Sequence, residues 1–220
     1  MLSIFSFERT TSNTISSIII EDALKSFEAG NSPQPVFFYC SRNPAEPARS
    51  DPKAILASLA RQLSSLEPGK SLLQPSVSLY EKEEAEGFAS GQLQVDESRR
   101  LIMQLIELYP QTTIILDALD ECNLATRLDL LRALEHLLQH SSGLVKVFIS
   151  SRDDQDIVPE LSGYPNLAID SRRNSDDIAQ FVKAEVERLV QTRKLLHYST
   201  AQADMKNIIV GKVIEGAAGM

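Results

Sequence analysis

Three short runs constrain this chain more than any other feature: Val36-Phe37-Phe38-Tyr39-Cys40, Thr113-Ile114-Ile115-Leu116-Asp117 and Val145-Lys146-Val147-Phe148-Ile149-Ser150. Each is almost continuously apolar and rich in β-branched or aromatic residues. A strand with one wet face alternates polar with apolar residues. Near-continuous runs of this length therefore describe strands buried on both faces, as in a parallel sheet. Two weaker runs, Leu2 to Phe5 and Asn166-Leu167-Ala168-Ile169-Asp170, extend the set at either end. Between the runs lie stretches with helical periodicity. Ile55, Leu56, Leu59, Leu63 and Leu66 share one face after the start signal Asp51-Pro52. Leu101, Ile102, Leu105, Ile106 and Leu108 mark a second helix. Leu124, Leu128, Leu131, Leu134 and Leu138 mark a third, capped by Asn123, and Ile178, Phe181, Val182, Val186 and Leu189 mark a fourth, after Asn174 and Ser175. Strands alternating with helices define an α/β fold, a three-layer α/β/α sandwich with a parallel sheet in the middle. Such sheets bind ligands at the C-terminal ends of their strands. The residues that end these runs are therefore where chemistry is expected.

The polar stretch Glu67 to Gly91, with its acidic cluster Glu81-Lys82-Glu83-Glu84-Ala85-Glu86, breaks this rhythm and reads as an inserted helix. Ser199 to Met220 reads as a final helix. A chain of 220 residues supports one domain with a substantial core. Its net charge of -8 repels phosphate backbones and argues against nucleic acid as a partner. No apolar run approaches the roughly 18 residues that span a bilayer, which argues against a membrane. Met1 to Phe7 has neither the basic nor the long apolar region of a signal peptide. Cys40 and Cys122 follow apolar runs and suit small packed side chains in a reducing, cytoplasmic setting.

The line Ile114-Ile115-Leu116-Asp117-Ala118-Leu119-Asp120-Glu121 carries the most specific chemistry. An apolar strand delivers one carboxylate at its end and an acidic pair three residues later. This is what a Walker B element of a nucleotide hydrolase requires. Asp117 would hold Mg²⁺, a hard cation that prefers oxygen ligands. Glu121 or Asp120 would orient and deprotonate the attacking water. Taken alone, the octet also suits an acidic turn that ends a strand and favours the start of the next helix. The following strand ends Ile149-Ser150-Ser151-Arg152, and an arginine there can reach a γ-phosphate and sense its loss. His136 and His140 stand at metal-ligand spacing, but no His-Glu-x-x-His pattern or cysteine accompanies them. They read as residues near a helix end, where cations suit the dipole.

The order Phe37-Phe38-Tyr39-Cys40-Ser41, then Ile115 to Cys122, then Phe148-Ile149-Ser150-Ser151-Arg152 resembles the NACHT-type NTPases. Within them it is most similar to the fungal branch with a nephrocystin-like N-terminal NTPase domain. The resemblance runs from about Leu2 to Met220. It implies a sheet of P-loop NTPase type with strand order 5-1-4-3-2. It also implies a single NACHT-like domain over residues 1–220, without the helical and winged-helix segments that follow it in the family. Its functional implication is a STAND-class signalling module that uses ATP or GTP with Mg²⁺ to control self-assembly. Nucleotide and protein partners, further copies included, follow from that. By resemblance Asp117 is the Mg²⁺ residue, Asp120 and Glu121 are the catalytic acids, and Arg152 is the sensor.

One motif of that family is degraded. A P-loop needs glycines whose backbone N–H groups wrap phosphate, a lysine for the β/γ oxygens, and a hydroxyl for Mg²⁺. Its place, just before the first helix, falls on Ser6-Phe7-Glu8-Arg9-Thr10-Thr11-Ser12-Asn13. Neither glycine is present. Ser12 stands in place of the lysine, Asn13 in place of the hydroxyl, and Glu8 adds a negative charge. Without glycine the backbone cannot easily form an anion nest, and each lost charge-assisted contact costs about 1.5–3 kcal/mol. Pro68-Gly69-Lys70-Ser71 ends like a P-loop, but Ser64 occupies the first glycine position and a helix, not a strand, precedes it. The departure leaves two explanations: a loop degenerate in the protein itself, or an N-terminus that differs from that of an active parent. The expectation is a nucleotide-binding signalling module defective in hydrolysis, with a non-catalytic interaction or scaffold module as the alternative.

Overall fold

The computed structural model describes residues 2–7, 12–65, 71–87, 91–152, 154–169, 175–196 and 202–217. In chain order the elements are β1 (Leu2–Phe7), α1 (Ser12–Glu28), β2 (Val36–Tyr39), α2 (Pro52–Ser64), α3 (Gln74–Ala85), α4 (Val95–Ile106), β3 (Gln111–Asp117), α5 (Arg127–His140), β4 (Leu144–Ser151), α6 (Ile157–Leu161), β5 (Asn166–Ile169), α7 (Ser175–Gln191) and α8 (Gln202–Ala217). Two 3₁₀ turns, Pro47–Arg49 and Leu119–Glu121, precede α2 and α5.

The strands form one sheet in the order β2-β3-β4-β1-β5, which is the order the resemblance implies. Parallel registers place Val36 beside Ile114, Ile114 beside Val147, and Ile4 beside Ile149. Because successive side chains point to opposite faces, the continuous apolar runs feed two cores. Val36, Ile114, Leu116, Val145, Val147 and Ile149 join the buried leucines and isoleucines of α2, α4 and α5. Ile115 and Phe148, one residue out of phase, meet Ile20 of α1, with Phe37 and Tyr39 packed alongside. The chain is thus an α/β fold with a parallel sheet.

Local chemistry fixes the elements where the sequence places them. Asp51 caps α2, its carboxylate accepting from the Lys53 N–H at 3.1 Å, with Pro52 in the first turn. β2 is an edge strand whose open backbone would otherwise invite pairing. Gln62 of α2 closes it: its amide accepts from the Phe37 N–H at 3.0 Å and donates to the Phe37 carbonyl at 2.9 Å. The inserted helix is α3.

Some boundaries differ from the sequence expectation. α5 begins at Arg127, not beside Leu124. Asn123 instead makes an Asx turn, its side chain accepting from the Ala125 N–H and its carbonyl from the Arg127 N–H. Leu124 is left exposed, and the buried face of α5 becomes Leu130, Leu131, Ala133, Leu134 and Leu137. β1 continues to Phe7, β3 starts at Gln111, and the short α6 has no counterpart in the sequence reading. Leu66 and the Pro68-Gly69-Lys70 triplet lie outside the described residues.

Two compact units emerge. The first, through Leu167, holds β1 to β4 and α1 to α6. The second, from Ala168, holds α7 and α8. In the second, Val182 and Val186 of α7 pack with Val210 of α8, and Ile209 and Ile214 lie partly buried against them, while Ile208 and Val213 are exposed.

Leu59 of α2 is fully buried, whereas Phe181 of α7 is 70% exposed. Leu59→Ala should lower the unfolding free energy by about 2–5 kcal/mol, and Phe181→Ala should change it by no more than about 0.5 kcal/mol. Urea unfolding followed by circular dichroism checks both.

Candidate functional site

The apolar run of β3 ends in a carboxylate at the C-terminal edge of the sheet. Asp117 is only 3% exposed. Its Oδ1 accepts two hydroxyl hydrogen bonds, from Ser16 of α1 at 2.6 Å and from Ser150 of β4 at 2.5 Å. Ser150 Oγ in turn accepts from the Ala118 N–H at 2.9 Å. The chain leaves the strand sharply through Ala118, which adopts φ 55°, ψ 52°. For a non-glycine residue this left-handed conformation costs about 1–2 kcal/mol, and such strain concentrates at functional sites.

The turn that follows presents Asp120 and Glu121 to the end of β4. Arg152 reaches both of them. Its backbone N–H donates to Asp120 Oδ1 at 3.1 Å, its Nε to Asp120 Oδ2 at 2.5 Å, and its Nη2 to Glu121 Oε1. Arg42, just past β2, takes the other side. Its backbone N–H donates to Glu121 Oε2 at 3.2 Å and its guanidinium to the Asp120 carbonyl. Arg127, the first residue of α5, is completely buried. Its Nη1 donates to the same Asp120 carbonyl at 3.0 Å, and its other nitrogens bind Asp154 and Asp156.

The fold therefore gathers Asp117, Asp120, Glu121 and Arg152 at one edge of the sheet. Ser12 and Asn13 open α1, but their side chains lie outside the described residues, as do residues 8–11 before them. Sequence reasoning missed Ser16, Ser150, Arg42 and Arg127 as site residues. Ser16 lies three residues after Asn13 in the sequence, close to the segment already singled out there. Ser150 was quoted only as part of the motif ending in Arg152. No short-range signal marks Arg42 or Arg127, because their partners lie on other elements.

Among the described residues no cluster of three or more His, Cys, Asp or Glu side chains is placed to hold a metal ion. Asp117 offers a different set, one carboxylate with the hydroxyls of Ser16 and Ser150. Hard oxygens of this kind suit Mg²⁺, which completes its shell with water and phosphate. Beside the site, burial with help from Cys122, Asp117 and Asp120 pushes the Cys40 thiol far above its usual range. Burial raises Cys122 to about 11, and its Sγ donates to the Ser50 carbonyl at 3.2 Å. Both are packed thiols, poor nucleophiles at neutral pH. His136 and His140 stack on each other with ring centroids 4.1 Å apart on α5. Among the described residues no helix is long and apolar enough to cross a membrane.

Burial opposes the charge of Asp156, but the hydrogen bonds and charge of Arg127 outweigh it and hold the carboxyl below its ordinary value. A depressed folded-state pKa contributes stability that is present above the unfolded value and disappears as pH falls through the folded one. Acid unfolding should therefore be shallower in Asp156→Asn than in the unmodified chain below about pH 4, with the two curves parallel near neutrality. Melting temperatures between pH 2.5 and 7 test this.

The sequence matches the family described as Nephrocystin 3, N-terminal, over residues 12–152. No curated protein matches the chain. The matched span opens with α1 and closes on Arg152, so it encloses Ser16, Arg42, Asp117, Asp120, Glu121, Arg127, Ser150 and Arg152, and stops short of Asp154 and Asp156.

Proposed function

The chain belongs to the nephrocystin 3 N-terminal family, and on that premise we propose that it is a NACHT-like signalling module of P-loop NTPase type that responds to nucleotide without turning it over. In this reading its sheet is the middle layer of an α/β/α sandwich. The single observation that carries the proposal is the state of the acidic octet: Asp117 sits among oxygen donors that suit Mg²⁺, while Glu121 has both oxygens engaged by Arg152 and Arg42.

Asp117 would hold Mg²⁺, with Ser16 or Ser150 beside it. The ion, when bound, would neutralise the oxygens of a nucleotide phosphate. Arg152 lies within reach of the same edge and would exchange a carboxylate for a γ-phosphate. That exchange is the physical basis of sensing, since both are anions that a guanidinium binds bidentately. Glu121 is poorly placed as a general base while two arginines occupy it, because a base must offer a lone pair to the attacking water. The residues at positions 6 to 13 add neither glycine nor lysine to cradle phosphate. Binding therefore depends on the Mg²⁺ side of the site, and self-assembly, not hydrolysis, is its output. ATP and GTP are both chemically admissible.

A second reading, a scaffold module that binds no nucleotide, draws on one observation. Asp120 and Glu121 are already satisfied within the chain by Arg152, Arg42 and Arg127.

A fluorescent ATP analogue titrated with and without Mg²⁺ separates these readings. Weak, Mg²⁺-dependent binding is expected, reduced about tenfold or more by Asp117→Ala, with no phosphate release above buffer. Unchanged binding in Asp117→Ala would remove that residue from the site. Steady phosphate release lost in Glu121→Gln would overturn the non-hydrolytic assignment. No binding up to millimolar analogue would leave the scaffold reading. Competition by GTP against ATP reports the base preference.

A further inference from the structure

Among the described residues Arg127 is the largest of the fully buried side chains. Three physical costs accompany it. Burying a guanidinium forfeits its hydration. The position is the first of α5, where the helix dipole disfavours a cation. Its long side chain also loses rotamer freedom. These costs are met by three partners from two other segments: the Asp120 carbonyl at 3.0 Å, Asp154 at 3.0 Å, and Asp156 at 2.5 Å from Nη2 and 3.0 Å from Nε. Burial pulls the guanidinium pKa down, and the hydrogen bonds and charges of Asp156 and Asp154 more than offset it, so the group stays charged.

The partners are not arbitrary. Asp120 begins the acidic pair. Asp154 and Asp156 follow Arg152 by two and four residues, in the segment that leads into α6. Arg152 makes three hydrogen bonds across the same gap, two to Asp120 and one to Glu121. Such a set forms only if the two backbones are held in register, and Arg127 is hydrogen-bonded to both. Asp154 and Asp156 keep part of their surface in water, with side chains 38% and 47% exposed, so neither needs Arg127 for its own solvation.

We propose that Arg127 is the positioning residue of this site: it locks the turn of Asp120 and Glu121 to the segment after β4, so that Arg152 meets both carboxylates and the two segments answer as one piece when Arg152 is drawn elsewhere. The inference rests on the reading above only in taking Asp120, Glu121 and Arg152 as the responding group.

The test needs no nucleotide, so its failure is distinct from a failure of nucleotide binding. Arg127→Lys keeps a cation that reaches fewer partners. In the unmodified chain the Arg152 Nε–H, donated to Asp120, should give a slowly exchanging NMR resonance. In Arg127→Lys that resonance should be lost while the β3 amides persist. In parallel, Arg152→Met should lower Tm in the unmodified chain, and by less than half as much in the Arg127→Lys background. A persistent Arg152 resonance, or equal Tm shifts in the two backgrounds, would reduce Arg127 to general stability and overturn the proposal. If Arg127→Lys does not fold, Asp154→Asn with Asp156→Asn cuts the same bridge from its exposed side, and the same two outcomes decide.

Discussion

The rest of the first unit depends on β3 being buried on both faces. It pairs in parallel with β2 on one side and β4 on the other. Ile114 and Leu116 point into one core and Ile115 into the other, all three fully buried. Each such side chain contributes about 1.5–3 kcal/mol through removal from water. A one-residue slip would exchange the two cores and cannot be absorbed locally. The strand is therefore the least adjustable part of the chain, and whatever follows it emerges at a fixed place. Asp117 is that next residue.

Fixing a carboxylate at the end of a buried strand creates an electrostatic demand that shapes the surroundings. The hydroxyls of Ser16 and Ser150 meet Asp117, and the guanidinium groups of Arg42, Arg127 and Arg152 gather around the next two acids. Buried charges add little net stability compared with apolar packing. Their value here is geometric, because the hydrogen bonds and ion pairs are satisfied together only when α1, α5 and the segments that follow β2 and β4 stand in one arrangement. The strain at Ala118 belongs to the same bargain. On the function proposed above, a site so held would report the arrival of a competing anion, and Glu121 would be ill suited to rapid proton transfer.

Much of this was legible from the residues alone. Continuous apolar runs separated by amphipathic helices read as strands buried on both faces, because the runs are short and rich in β-branched and aromatic residues. The signal at Asp51-Pro52 is local, and the structure uses it as a helix cap. That Asp117 and Arg152 stand at one edge of the sheet was also foreseeable, because Asp117 ends β3 and Arg152 directly follows β4 of one parallel sheet. Failures came where local signals compete. Asn123 can cap a helix or form an Asx turn with equal chemistry, and tertiary packing chose the turn, which moved the start of α5 to Arg127.

Sequence by itself thus determined the α/β class, the order of its strands and longer helices and the acidic octet at the end of β3, because these depend on periodicity and on residues adjacent in the chain. Only the tertiary structure decided which groups answer those acids. Ser16 lies 101 residues from Asp117, Arg42 lies 78 from Asp120, and Arg127 must be buried before its partners can be known. Such contacts are set by how the strands order themselves in the sheet, a consequence of packing energies summed over the whole core and not encoded in any local motif.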